Sequence, residues 1–240
     1  LCLFLSMKII KPLIFVFVVL SGNLYAQQIK VTRDFGIWIG AEYEKKIFKN
    51  YDLSLEQQIR TYKNSSVLDD YLFDVGLKCP INKKFNLGAN VRYTYNNKRV
   101  KETENNFRYN LDIGYKKKLN QKIRFHYRLR YQKEYINHYR NIYYRIKGLA
   151  SQNIYSFGIR NKVKIMFNQS KKSKFYTSAE LFRLIENFRE PYFNKICFNI
   201  GKETKLKIGN LDYSIGFEQE LYSDFPYSFF YFKTIHNPRY

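Results

Sequence analysis

The chain has 240 residues, with 42 Lys and Arg against 20 Asp and Glu, a net charge of +22, and 19% aromatic residues. In a cytosolic protein that combination points to nucleic acid, through phosphate contacts and base stacking; an export signal in the first residues argues against such a partner. No Pro/Gly/Ser linker or break in composition divides the chain, and no CxxC or His-rich spacing appears, so one domain with no metal or other cofactor is expected.

Leu1 to Ser6 precede Met7 and read as an over-extended gene start. Met7 to Ala26, "MKIIKPLIFVFVVLSGNLYA", combine a basic start, an apolar run from Leu13 to Leu20 and a small residue before Gln27. That is a secretory signal peptide occupying residues 1–26, with the mature domain at 27–240. The apolar run is too short to cross a bilayer, and Pro12 interrupts it. Cys2 lies on the wrong side of the run for a lipid anchor, and Cys79 and Cys197, on separate predicted strands, are expected to be free thiols.

From Phe35 onward, apolar residues recur at every second position. The runs are Phe35 to Tyr43, Tyr51 to Ile59, Tyr71 to Cys79, Phe85 to Tyr95, Phe107 to Leu119, Ile123 to Tyr131, Phe157 to Phe167 and Leu211 to Leu221. Weaker runs lie at Phe175 to Phe182, Ile196 to Lys202 and Tyr227 to Ile235. A period of two throughout predicts an all-β chain. Soluble strands average roughly five or six residues, whereas a tilted membrane-spanning strand needs about nine to eleven, and these runs belong to the second class. The expected fold is a transmembrane antiparallel up-and-down β-barrel of about 10–12 strands. Eleven runs are visible, and an even number requires a twelfth at Gln27 to Arg33 or at Arg140 to Gly148, so about twelve are predicted.

Tyr43, Tyr51, Tyr71, Tyr95, Tyr115 and Tyr131 stand near the ends of their runs, as in an aromatic girdle. Connections alternate between tight ones (Lys49-Asn50, Pro80 to Lys84, Asn120-Gln121) and longer polar ones (Tyr62 to Val67, Asn96 to Asn106, Glu134 to Asn153). Short periplasmic turns and long outer loops produce that alternation. The expected location is the outer membrane of a Gram-negative bacterium. The expected partners are outer-membrane lipid and lipopolysaccharide, which suit a basic, tyrosine-rich surface, with a small solute inside. A soluble secreted β-barrel binding protein has the same period with the opposite polarity, so periodicity alone leaves it open.

In the blocks "DFGIWIGAEYEKKI", "LSLEQQIR", "DYLFDVGLKCPINKKFNLGANVRYTYNN", "RFHYRLRYQKEY", "RNKVKIMF" and "YTSAELF", in this order, the chain resembles the family known as domain of unknown function 2490. These are exported Gram-negative proteins common in Bacteroidota. The resemblance runs from Asp34 to the C-terminus and implies an outer-membrane barrel, with no catalytic or ligand residue to carry over. One departure is the end of the chain. An aromatic strand is expected to finish such a protein, but here His236, Asn237 and Pro238 follow it.

The polar face carries the candidate site. Its predicted acidic wall is Glu42, Glu44, Asp52, Glu56, Asp70, Asp74, Glu180, Asp212, Glu218 and Glu220, on the early and late strands. Its predicted basic wall is Arg92, Arg108, Lys116, Arg124, Arg128, Arg130, Arg160, Lys162 and Lys164, on the middle strands. First and last strands meet when a barrel closes, so the walls should face one another. They form either a rigidifying salt-bridge network or a transverse field across a narrow pore. No catalytic residue is assigned. A lipid-modifying hydrolase needs a Ser–His pair, and only His126, His138 and His236 are available. Paired carboxylates for glycoside cleavage (Asp69-Asp70, Glu218 and Glu220) are pairs in sequence only. The acids of the Asn96 to Asn106 segment lack EF-hand spacing. The function expected is a structural or narrow-channel barrel with a charged lumen.

Overall fold

Residues of alternating polarity form eleven strands in chain order: β1 (Thr32–Ile47), β2 (Tyr51–Tyr62), β3 (Val67–Pro80), β4 (Phe85–Asn97), β5 (Thr103–Lys118), β6 (Ile123–Asn137), β7 (Ile154–Asn168), β8 (Ser173–Glu186), β9 (Tyr192–Leu206), β10 (Gly209–Glu220) and β11 (Tyr227–Pro238). They come from a computed structural model that describes residues 32–48, 51–97, 103–137, 154–170, 172–186, 190–206, 209–222 and 226–238. The expected signal peptide and the candidate strand at Arg140 to Gly148 lie outside the described residues. Each strand pairs with its sequence neighbours, and β1 pairs with β11, so the sheet closes into a barrel.

The strands number eleven among the described residues, within the roughly 10–12 expected but odd rather than the even twelve favoured by the sequence. An odd number makes the first and last strands run the same way. The closing pair is accordingly parallel, over ten register positions from Thr32 opposite Tyr227 to Ala41 opposite His236, while all other pairs are antiparallel. The loop expected at Asn96 to Asn106 is shorter than predicted, because β4 continues to Asn97 and β5 begins at Thr103.

The tight connections share one design. Asn82 Oδ1 accepts hydrogen bonds from the backbone N–H groups of Lys84 and Phe85, and Asn120 Oδ1 does the same for Lys122 and Ile123. Ser170 Oγ plays this part for Lys172 and Ser173. These side-chain turns reverse the chain in four residues, which is why β3–β4, β5–β6 and β7–β8 join so closely. All three lie at one end of the barrel, and the end opposite holds the longer connections, except that the longer one expected at Tyr62 to Val67 is a tight turn, with β2 ending at Tyr62 and β3 beginning at Val67.

The polarity is inverted relative to a soluble barrel. Leu111, Ile200 and Ile215 on the outer face are 60%, 69% and 65% exposed, whereas Gln58, Asn110, Asp74 and Glu180 are buried inside. Large aromatics also enter the interior, where glycines make room. A Cβ at Gly216 would strike the Tyr231 ring, one at Gly36 the Phe229 ring and one at Gly201 the Tyr176 ring. Tyr227, Phe229 and Tyr231, at alternate positions of β11, stack in succession. Together with Tyr62 and Trp38 they form the apolar cluster that fills the seam between β11, β1 and β2.

Candidate functional site: the charged lumen

A period of two carries polar residues inward at even positions from β1 to β7, and the lumen so formed holds a cavity of about 670 Å³. Arg92, Arg108, Lys116, Arg128, Arg130, Arg160, Lys162 and Lys164 line it, as do Glu42, Glu44, Glu56, Asp70, Asp74, Glu180, Asp212 and Glu218. Three predicted residues stand at the rims instead. Asp52 and Arg124 are second in their strands at the turn end, and Glu220 ends β10, where its carboxylate accepts a hydrogen bond from the Tyr227 backbone N–H at 3.1 Å.

The structure adds charged residues that the sequence reading did not single out. Arg60, Lys78, Lys195 and Lys233 are cations among the acids of the early and late strands, and Asp112 and Glu134 are acids among the bases. Each shares the inward phase of its strand, which is the signal that could have found it. These residues break the two walls into local pairs. Arg92 Nε lies 2.8 Å from Asp74 and Arg108 Nη2 lies 2.8 Å from Glu134. Arg130 grips Asp112 through two bonds of 2.6 and 2.7 Å, the fork geometry in which a guanidinium binds a carboxylate best. Lys195 meets Glu218 at 2.8 Å, and Lys164 meets Glu203 at 2.9 Å.

Every ion pair among the described residues joins neighbouring or next-but-one strands. The pairs therefore run along the wall and leave the middle of the lumen uncrossed. Segregation persists on one level. Glu42 stands opposite Glu56, and Glu56 opposite Asp74, so three carboxylates follow one another across β1, β2 and β3. Lys116, His126 and Lys164 follow one another in the same way across β5, β6 and β7. Strands β1 and β6 are five steps apart in a ring of eleven, so these two rows lie on opposing walls.

The geometry bears on the other chemistries too. His126 is flanked by two lysines, and among the described residues no Ser or Thr hydroxyl hydrogen-bonds to it. His138 lies outside the described residues, and His236 is near the end of β11. Glu218 is taken up by Lys195 and by the Cys197 thiol, which donates to it at 3.2 Å. Asp69 is the extra residue of a bulge between β2 and β3, not the partner of Asp70 in a catalytic pair. Cys79 and Cys197 are both free thiols. Among the described residues no three His, Cys, Asp or Glu side chains gather as metal ligands. The seam aromatics offer no stacking platform to a sugar, since Tyr62, Phe229 and Tyr231 are each 5% exposed or less.

A search of curated proteins and a search of solved structures each find no match. The profile of the family described as "Protein of unknown function (DUF2490)" matches residues 35–220, from the start of β1 through the end of β10. The chain belongs to that family.

Proposed function

We propose that this barrel spans the outer membrane of a Gram-negative bacterium and acts as a narrow passage for small polar solutes. One observation carries the reading: the inversion of polarity, with large apolar side chains exposed outward and Arg, Glu, Asp and Asn turned inward. In water an apolar band on every strand would promote aggregation; in a bilayer it is the surface that lipid covers. Strands of 12 to 16 residues exceed the crossing length of about nine to eleven, so they reach past the hydrocarbon on one or both sides.

The passage is supported by the direction of the ion pairs. A lumen braced by pairs along its wall is stiff without being crossed, and the facing rows of carboxylates and cations set up a field across it. A solute entering it would be sorted by charge and dipole as well as by size. The second reading is a structural barrel whose ion pairs serve rigidity alone, and it is favoured by their number.

The experiment is single-channel current from the refolded protein in a planar bilayer. Discrete steps of uniform size are expected. Protein that inserts, shown by protection of its strands from protease, but stays silent would leave the structural reading. Protein that remains dissolved without detergent would remove the membrane reading altogether.

A further inference from the structure

One carboxylate in the lumen serves three cations. Glu180, which is buried, accepts hydrogen bonds from Arg128 Nη2 at 2.8 Å and from Arg160 Nε at 2.9 Å, and Lys162 Nζ lies 3.7 Å from its other oxygen. The cluster follows from register. Lys162 stands opposite Glu180 across β7–β8 and opposite Arg128 across β6–β7, and Arg160 is two residues along β7 on the same face.

Charge does not balance there. Two positive charges remain after Glu180 is counted, and the acids around it are committed elsewhere: Glu218, the next acid on the same rung, to Lys195, and Asp112, opposite Arg130, to that arginine. Hydrogen-bonding capacity is also left over. Arg160 uses only Nε and Arg128 only Nη2 among their nitrogens, so each guanidinium keeps N–H donors without a protein acceptor. All three cations line the cavity, and the side chains of Arg128 and Lys162 keep 30% and 29% of their exposure. The Arg160 guanidinium carbon sits 4.3 Å from the centroid of the Phe182 ring, which fixes its plane and leaves its edge as the side that binds.

We infer that Arg128, Arg160 and Lys162 form a binding site for a small oxyanion, a carboxylate or a phosphate, at the middle of the lumen. A guanidinium edge matches the paired oxygens of either group, and an uncompensated positive cluster within low-dielectric walls draws anions from solution. The residues that line the cavity as a whole lean the same way, with twelve bases against nine acids. Binding requires only a lumen that water reaches. The further consequence, that current through the barrel prefers anions, rests on the channel reading.

Two measurements separate these claims. The first titrates inorganic phosphate into the refolded protein in detergent micelles at low salt and reads heat. Saturable binding is expected, weakened about tenfold in Lys162→Gln, the loss of one charge-assisted contact. Arg160→Gln should weaken it further. Lys162 makes the longest contact to Glu180, so its replacement leaves the two shorter bonds in place and the barrel folded, which circular dichroism checks. Absence of saturable binding, or equal affinity in Lys162→Gln, overturns the site.

The second measurement records reversal potential under a KCl gradient in planar bilayers, with and without phosphate. Selectivity for chloride and loss of current on adding phosphate are expected. Phosphate binding in micelles with no current in bilayers would remove the channel and leave the site. Cation-selective current without phosphate binding would remove the site and leave the channel.

Discussion

The indole of Trp38 on β1 lies flat on the ring of Tyr231 on β11, with centroids 3.6 Å apart and planes at 8°. The Arg60 guanidinium from β2 sits over the indole at 4.1 Å from its centroid, so both faces of Trp38 are covered. This sandwich ties together three strands at the one place where the barrel closes in parallel, the geometry with slightly weaker ladder bonds per residue. Trp38→Ala should therefore lower unfolding free energy by about 2–4 kcal/mol. Trp38→Phe, which keeps one stacked face, should cost less. Reversible urea unfolding in detergent measures both, and equal loss from the two variants would show that a ring retained between Tyr231 and Arg60 contributes nothing.

The glycines that admit inward aromatics make a second prediction. A Cβ at Gly201 would lie 2.6 Å from Tyr176 Oη and 2.7 Å from Ser214 Cβ, distances that real methyl groups do not adopt. Tyr176 must then lift off the wall, and its hydroxyl loses the 2.8 Å bond that it donates to Asp212. Gly201→Ala should destabilise the barrel by about 1–3 kcal/mol. The double variant Gly201→Ala with Tyr176→Ala should cost less than the two single changes added together, because the clash with the ring is gone and only the contact with Ser214 remains. Simple additivity in a double-mutant cycle would refute the packing argument.

These seam residues also mark where sequence reasoning stops. From β1 to β7 one phase is apolar and the other mostly polar, Trp38, Tyr62, Leu72 and Met166 apart, so the inward set can be read directly, and most of the predicted charged residues do line the cavity. On β11 the run "SFFYFK" is aromatic in both phases. Only the fold reveals that Phe229 and Tyr231 turn inward while Phe230 and Phe232 turn outward. Cys197 is hidden for a related reason, since a thiol fits either face and its inward position depends on Glu218 beyond it. Parallel closure was legible only as the odd count of eleven runs, because the pairing itself depends on contacts between residues about two hundred positions apart. Local periodicity carries no information on pairs so distant. The pairing of charges was half legible: the phase places Arg130 inside, but its choice of Asp112 depends on register.

Asp34 supplies a dependence on pH. It is the third residue of β1, ahead of Phe35, the first apolar residue of that strand, and it bonds to the turn Lys63 to Ser66 at the loop end. Its carboxylate accepts the backbone N–H groups of Phe35, Lys63 and Asn64 and the hydroxyl of Tyr227. Lys63, Asn64 and Ser65 all have φ between 51° and 66°, a left-handed run that costs energy for residues with side chains. Such a run turns successive N–H groups to one side, and the carboxylate fills the hollow. Burial raises the carboxyl, but the hydrogen bonds from Tyr227 and the three N–H groups outweigh it and hold the group below its ordinary value. A depressed value in the folded state means that the stabilisation is complete above the unfolded value of about 4 and is lost as pH falls through the lower folded one. Protection of the Lys63 and Asn64 amides, taken against the intrinsic exchange rate at each pH, should therefore hold at pH 5 and fall only on further acidification. Asp34→Asn should exchange quickly at both. Protection that ignores pH would mean that the turn is held by its backbone alone.

The odd strand number separates the two ends of the barrel sheet. β1 enters at Thr32 on the side of the longer connections, and β11 leaves at Pro238 on the side of the tight turns. If the barrel crosses the outer membrane as proposed, with tight turns toward the periplasm, then Thr32 faces the cell surface and Pro238 the periplasm. Single cysteines placed in a background lacking Cys79 and Cys197 test this with a membrane-impermeant maleimide. Arg33→Cys should label on intact cells together with Ser65→Cys in the β2–β3 turn. Asn237→Cys should label only after the outer membrane is opened, together with Asn82→Cys in the β3–β4 turn. Labelling of Arg33→Cys and Asn237→Cys from the same side would require one more crossing than the eleven strands provide, and parallel closure would then be wrong.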